Sequence, residues 1–231
     1  MTIRFLSWEV GVVLAGLCFG GCATAKPFDY TNFRAHQPRS ILVLPPVNQS
    51  TDIRGTYGYL STVTEPLAEM GYYVFPVAIV DQFLKDNGLP GPGEMQQAPL
   101  QKFAEIFGAD SVLYLTLLEY GTQYHVLNSA ATAHAKARLV DTKTGLVLWE
   151  GETRAQQVSG GGGGGLVGAL VQAAVSQAVN STADAAHLIS ADANTMLFTG
   201  ISLSAYDAHS TGTGGPALLY GPYHPADQTS H

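Results

Sequence analysis

Between Ser40 and Glu150 the apolar residues repeat first with one period and then with another, and the changes of period predict the order of elements. Ser40-Ile41-Leu42-Val43-Leu44 is apolar without a break until Pro45 and Pro46, the pattern of a buried strand. From Thr56 to Met70 the residues Leu60, Val63, Leu67 and Met70 fall on one helical stripe, and Gly71 stands just past its end. Pro66 lies inside this stretch and predicts a kink or a break. Tyr72-Tyr73-Val74-Phe75-Pro76-Val77 reads as a second strand, so strand, helix and strand follow as in a right-handed parallel βαβ unit.

The pattern continues with a helix from Ala78 to Asn87 that stops at Gly88, a rigid loop over Leu89–Gly93, and a helix from about Pro99 to Phe107. Asp110 to Tyr120 is apolar on both faces and should be a central strand. Two long strands follow, at about 122–140 and 146–158. In the first, Ala133, Ala135, Ala137 and Leu139 alternate with Thr132, His134, Lys136 and Arg138, as in a half-buried antiparallel strand. Asp141-Thr142-Lys143-Thr144-Gly145 joins the two as a turn. The expected fold is therefore α/β (α+β): one mixed sheet of about five strands, with a βαβ start, a C-terminal antiparallel hairpin, and helices packed on it.

Six glycines at 160–165 break the pattern. Leu166 to Val179 then reads as an apolar, alanine-rich helix whose 14 residues are too few to span a bilayer. A further helix is expected around Ala183 to Phe198, and a flexible tail over 201–231.

The N-terminus has a different character. Val10 to Phe19 is an apolar run of signal-peptide length, leading to Gly20-Gly21-Cys22. Small residues followed by cysteine resemble the lipobox of bacterial lipoproteins, although Phe19 stands where a smaller aliphatic is usual and Arg4 is the one basic residue of the n-region. That resemblance implies cleavage before Cys22 and acylation of Cys22, with two or three acyl chains anchoring the protein stably. Ala23 after the cysteine, where inner-membrane retention uses Asp, favours the outer membrane, facing the periplasm. A plain secretory peptide or an uncleaved anchor is the alternative. The domains are read as a signal peptide (1–21), a lipidated tether (22–38), one α/β domain (39–200) and the tail (201–231).

Composition narrows the function classes. A net charge of −7 without a basic cluster argues against nucleic-acid binding, which needs phosphates neutralised. With Cys22 acylated, the mature chain keeps no thiol nucleophile. None of the 7 histidines forms a closely spaced metal-ligand pair, so no metal is expected. The glycine run satisfies G-x-G-x-x-G trivially, but it follows an antiparallel hairpin and lacks the Lys-Ser or Lys-Thr of a phosphate loop, so a hinge is expected there. No catalytic residue and no cofactor beyond the covalent lipid are expected.

Thr64 to Val77, Ile106-Phe107-Gly108-Ala109-Asp110, Ala137-Arg138-Leu139-Val140-Asp141 and Trp149-Glu150-Gly151 together resemble the lipoproteins typified by a genome-derived Neisseria antigen, a family of unknown function. The resemblance covers roughly 38–200. It implies an envelope lipoprotein with an α/β domain and no known enzyme activity, more distantly similar to the N-terminal domain of TolB and to the curli-secretion lipoprotein CsgG. The function expected is a non-catalytic accessory or scaffold component of an outer-membrane assembly or secretion system. Its partners would be the membrane, through the lipid, and either further copies of the chain or a CsgG-like envelope protein.

The residues expected to carry that role as an interface are Leu166, Leu170, Ala173, Ala174 and Val175, on a helix apolar nearly all round that internal packing could equally bury. Exposed members of the set Tyr57, Tyr59, Tyr72, Tyr73, Tyr114, Tyr120 and Tyr124 would serve as anchors. The other class of function is a periplasmic binding module for a small ligand or glycan, with its cleft near Pro46–Gly55 at the carboxyl ends of the strands.

Overall fold

The computed structural model describes residues 27–124, 129–159, 182–201 and 210–225. Helix α1 (Thr31–His36) precedes β1 (Ser40–Val43) and the short β2 (Val47–Asn48). Helices α2 (Gly55–Leu60) and α3 (Thr64–Glu69) lead to β3 (Tyr73–Val74). Three helices follow, α4 (Val77–Asp86), α5 (Pro92–Gln97) and α6 (Leu100–Phe107). The long strands β4 (Ser111–Tyr124), β5 (Ser129–Asp141) and β6 (Val147–Ser159) precede α7 (Thr182–Thr199) and β7 (Ser210–Gly214).

All seven strands join one mixed sheet in the order β3-β1-β4-β5-β6-β7, with β2 also on β4. β1 is parallel to both β3 and β4, which completes the βαβ unit, and β4 to β7 are antiparallel throughout. β1 and β2 are one line of chain interrupted by Pro45 and Pro46, which have no N–H to give the ladder. The helical stretch breaks over Ser61–Val63, so Pro66 falls in the first turn of α3, where its missing N–H costs nothing. The expected strand at 122–140 is divided differently. β4 runs on to Tyr124, and an extra residue between Leu117 and Glu119 reverses its alternation, putting Glu119 opposite His134 and Tyr120 opposite Ala133.

Two cores result. On one face α2, α3 and α7 cover Ile41, Val43, Leu113, Leu115 and Leu117, then Ala133, Ala135, Ala137 and Trp149. The alanines of β5 leave room for α7, which packs on β5 and β6 through Ile189, Ala193, Met196 and Leu197. On the other face α4, α5 and α6 cover only Leu42, Leu44 and Val112. β1 and β4 are thus apolar on both sides, whereas the second face of β5 keeps its charges in water.

The structure corrects the expectations at both ends. Residues 27–38, read as tether, carry α1 and bury Phe33 in the core, with Phe28 and Tyr30 packed beside it. Residues 210–225, read as tail, form β7 and a segment stitched along the domain. The Tyr30 hydroxyl donates to Ala217 O, the Tyr72 hydroxyl to Leu219 O, Trp149 Nε1 to Pro216 O at 2.9 Å, and Gly221 N to Met70 O at 2.8 Å. The rigid loop at Leu89–Gly93 also gives way, since α5 starts at Pro92, a residue suited to a first helical position.

Asp141 holds the hairpin turn. Its carboxylate accepts from the Thr144 amide (2.7 Å), the Thr144 hydroxyl (2.7 Å) and the Lys143 amide (3.1 Å), and lies 3.3 Å from His36 Nδ1. Burial alone would push the Asp141 carboxyl up, but the Thr144 hydroxyl and amide, the His36 ring and the Lys143 amide together hold it below its ordinary value. Depression in the folded state means the ionised form stabilises the fold above the unfolded pKa of about 3.9, and that contribution is lost as pH falls through the lower folded pKa. Asp141→Ala should therefore cost about 1–3 kcal/mol at neutral pH and much less near pH 2, measured by urea denaturation at the two pH values. An equal loss at both would show that the charge is not what holds the turn.

Candidate interaction surface

The edge of the sheet at β3 is built from a strand of two residues with no neighbour beyond it among the described residues. Beside it four aromatic rings run edge to face in a chain: Tyr73 to Phe75 at 5.1 Å, Phe75 to Phe107 at 6.2 Å, and Phe107 to Phe83 at 5.2 Å. The rings come from β3, the turn after it, α6 and α4. Helix α4 presents two apolar sides. Val80 and Leu84 point into the core, while Ile79 and Phe83, one turn apart, point outward. Ile79 is 67% exposed, Tyr73 54% and Phe83 36%. Apolar side chains grouped in this way on a surface are the usual sign of a protein contact.

The crevice expected near Pro46–Gly55 is filled by the chain itself. Asn48 Oδ1 accepts from the Ser50 amide and hydroxyl, Asn48 Nδ2 donates to Asp52 O at 2.8 Å, and Arg54 grips the Asp52 carboxylate with two bonds, at 3.0 and 2.7 Å. The Arg54 guanidinium holds the Asp52 carboxyl below its ordinary value. Gln96 Nε2 takes up the Pro45 and Leu115 carbonyls at 3.0 and 2.8 Å. Above them Lys85 donates to Asp81 (2.7 Å) and to the Tyr57 hydroxyl (2.9 Å), and its pKa is raised by those two bonds. These groups satisfy one another, which leaves little for a ligand to bind.

A third surface is the face of β4 to β6 that no described helix covers. His134 stands between Glu152 (2.8 Å) and Glu119 (3.7 Å), Arg154 reaches Glu119 at 2.8 Å, and Lys136 reaches Glu152 at 3.4 Å. His134 and then Lys136 hold the Glu152 carboxyl below its ordinary value. Positive and negative groups alternate there, the arrangement of a solvated sheet face. No group of three His, Cys, Asp or Glu among the described residues could hold a metal ion.

The tyrosines named from the sequence separate by exposure. Tyr59 and Tyr72 are core, Tyr114 lies under the Arg138 guanidinium, Tyr57 belongs to the Lys85 group, and Tyr73 alone of the set joins the aromatic edge. Cys22, Leu166, Leu170, Ala173, Ala174 and Val175 lie outside the described residues, as do the glycine run and the expected helix over 166–179. Ile79 and Phe83 went unnamed in the sequence reading, and Phe107 entered it only as a helix end and part of a family block. The signal for them was a helix with apolar residues on more than its core-facing stripe.

Comparison with known proteins agrees with this fold. Residues 28–207 match the GNA1162-like lipoprotein family. The lipoprotein NMB1124/NMB1162 of Neisseria meningitidis serogroup B is 45% identical over 178 residues, covering 76% of this chain and 83% of that protein. The crystal structure of lipoprotein GNA1162 from Neisseria meningitidis is 46% identical, with a TM-score of 0.51, and covers 62% of this chain and all of that one. A PelC dodecamer from Paraburkholderia phytofirmans is 13% identical with a TM-score of 0.41, covering 69% of this chain and 86% of that one. On the family match and the close Neisseria relative, the chain belongs to the GNA1162-like lipoprotein family.

Proposed function

We propose that this protein is a non-catalytic accessory or scaffold lipoprotein of the cell envelope, held by a lipid on Cys22 to the outer membrane and facing the periplasm. It works by docking on another protein, a further copy of itself or a CsgG-like envelope component. The observation that carries this reading is the exposed trio Tyr73, Ile79 and Phe83, joined by the half-buried rings of Phe75 and Phe107, along a sheet edge with no neighbour among the described residues. Membership of a lipoprotein family supports the anchor. The self-satisfied crevice at Pro46–Gly55 weighs against the small-ligand module at that place.

One experiment tests both parts. Wild type, Cys22→Ala and the double variant Ile79→Asp with Phe83→Asp are labelled with palmitate in a Gram-negative host, fractionated and crosslinked. Label should disappear in Cys22→Ala and travel with the outer membrane otherwise. The double variant should stay labelled but lose its crosslinked species, because Ile79 and Phe83 stand on the outward side of α4, away from its core-facing Val80 and Leu84. Label in Cys22→Ala would overturn the anchor, and unchanged crosslinks in the double variant would overturn the docking edge.

A further inference from the structure

A cavity of about 330 Å³ lies between α1 and the C-terminal segment, away from the aromatic edge. Its volume is in the range of small-molecule sites, roughly 300–1,000 Å³. Both walls are fixed. α1 is held by buried Phe33 and by His36 on Asp141, and the opposite wall by the hydrogen bonds of Ala217, Leu219 and Gly221 described above. The backbone of both walls is therefore set before any ligand arrives, while Arg34, Gln37 and Tyr220 stand exposed at the mouth.

The lining is of two kinds. Phe33, Pro38, Leu219 and Pro222 are apolar, and Arg34, Gln37 and Tyr220 are polar. Arg34 is the one charged group of the lining, and no carboxylate among the described residues pairs with it. A cation with no carboxylate partner among the described residues, in a chain of net charge −7, favours an anion. Gln37 lines the cavity from a left-handed backbone, φ 42°, an uncommon conformation for a residue with a side chain. The Tyr220 ring is oriented by stacking on His224 at 3.9 Å.

We propose that this cavity binds a small amphiphilic anion, one phosphate or carboxylate group joined to an apolar body. The anionic group meets Arg34 and Gln37, and the body lies on Phe33, Pro38 and Leu219. A phospholipid and a free short-chain acid share that chemistry. The proposal does not depend on the lipid at Cys22. Every contact described lies within 27–225, so a chain exported on a non-lipid signal peptide and beginning at Ala23 keeps the whole domain.

That chain is titrated by calorimetry with dihexanoylphosphatidylglycerol, with octanoate and with inorganic phosphate, and amide shifts locate the site. Saturable binding of either amphiphile, with shifts at Arg34, Gln37 and Leu219, supports the proposal, and the one that binds identifies the source. Arg34→Gln should weaken it on the order of tenfold or more, and Arg34→Lys by less. Gln37→Gly relieves the left-handed backbone, so the variant folds, and should still bind more weakly than wild type. The proposal fails if neither amphiphile saturates, if Arg34→Gln binds as wild type does, or if inorganic phosphate binds as tightly as the amphiphiles.

Discussion

Trp149→Ala is expected to cost the domain about 3–5 kcal/mol, a large fraction of the roughly 5–15 kcal/mol that holds an ordinary domain folded. Trp149 is fully buried, on the core face of β6. Its ring lies 5.9 Å from that of Phe198 on α7, and Gly151 leaves room for it, since a methyl at Gly151 would run into the indole. The indole N–H donates to Pro216 O, so the truncation would open a cavity and also release the C-terminal segment at its first tie. Trp149→Phe keeps most of the packing and loses only the N–H, and should cost clearly less. Guanidinium denaturation followed by circular dichroism gives both values. A loss below about 1.5 kcal/mol for the alanine variant would mean that the surrounding helices collapse into the space.

The second large effect is expected at Gly71. Its φ is +85°, and a methyl there would overlap the backbone nitrogen of His224. Two backbone bonds cross the same place, Gly221 N to Met70 O at 2.8 Å and Tyr223 N to Gly71 O at 3.2 Å. Gly88 has the same φ of +85° but nothing within 4 Å of the added methyl, which makes it a control for backbone strain alone. Gly88→Ala should cost about 1–2 kcal/mol. Gly71→Ala should cost at least that and also free residues 216–225, so that limited proteolysis cuts them while leaving β1 to β6 intact. Equal stability losses with equal protease resistance would show that the segment shifts to accommodate the methyl.

Much of the fold was legible because particular patterns have one physical solution. The unbroken apolar runs of β1 and β4 require cover on both faces, and they have it. The alternation of Ala133, Ala135, Ala137 and Leu139 fixed which face of β5 is buried, and the Asp141–Gly145 turn follows from its side chains. The ends were misread for the opposite reason. α1 has six residues and β7 reads Ser-Thr-Gly-Thr-Gly, too short or too polar to show a period. Their order comes from distant partners, Asp141 for α1 and β6 for β7, which local pattern does not report. The aromatic edge was hidden similarly, because Tyr73, Phe83 and Phe107 are separated in sequence and joined only by the packing of β3, α4 and α6.

The ties between the two ends set a constraint on the order in which the chain can mature. Tyr30 and Tyr72 are synthesised early, yet their hydroxyls donate to Ala217 and Leu219, and the Trp149 indole donates to Pro216, all near the other end of the described chain. In a chain made from its N-terminus these three bonds stay unmade, their donors bonded to water, until nearly all of it has been delivered. Such long-range closure is slow, because its loop entropy is spent before its contacts are made. A product truncated before residue 216 would lack all three acceptors at once, so its early and late elements would lose the same closure together.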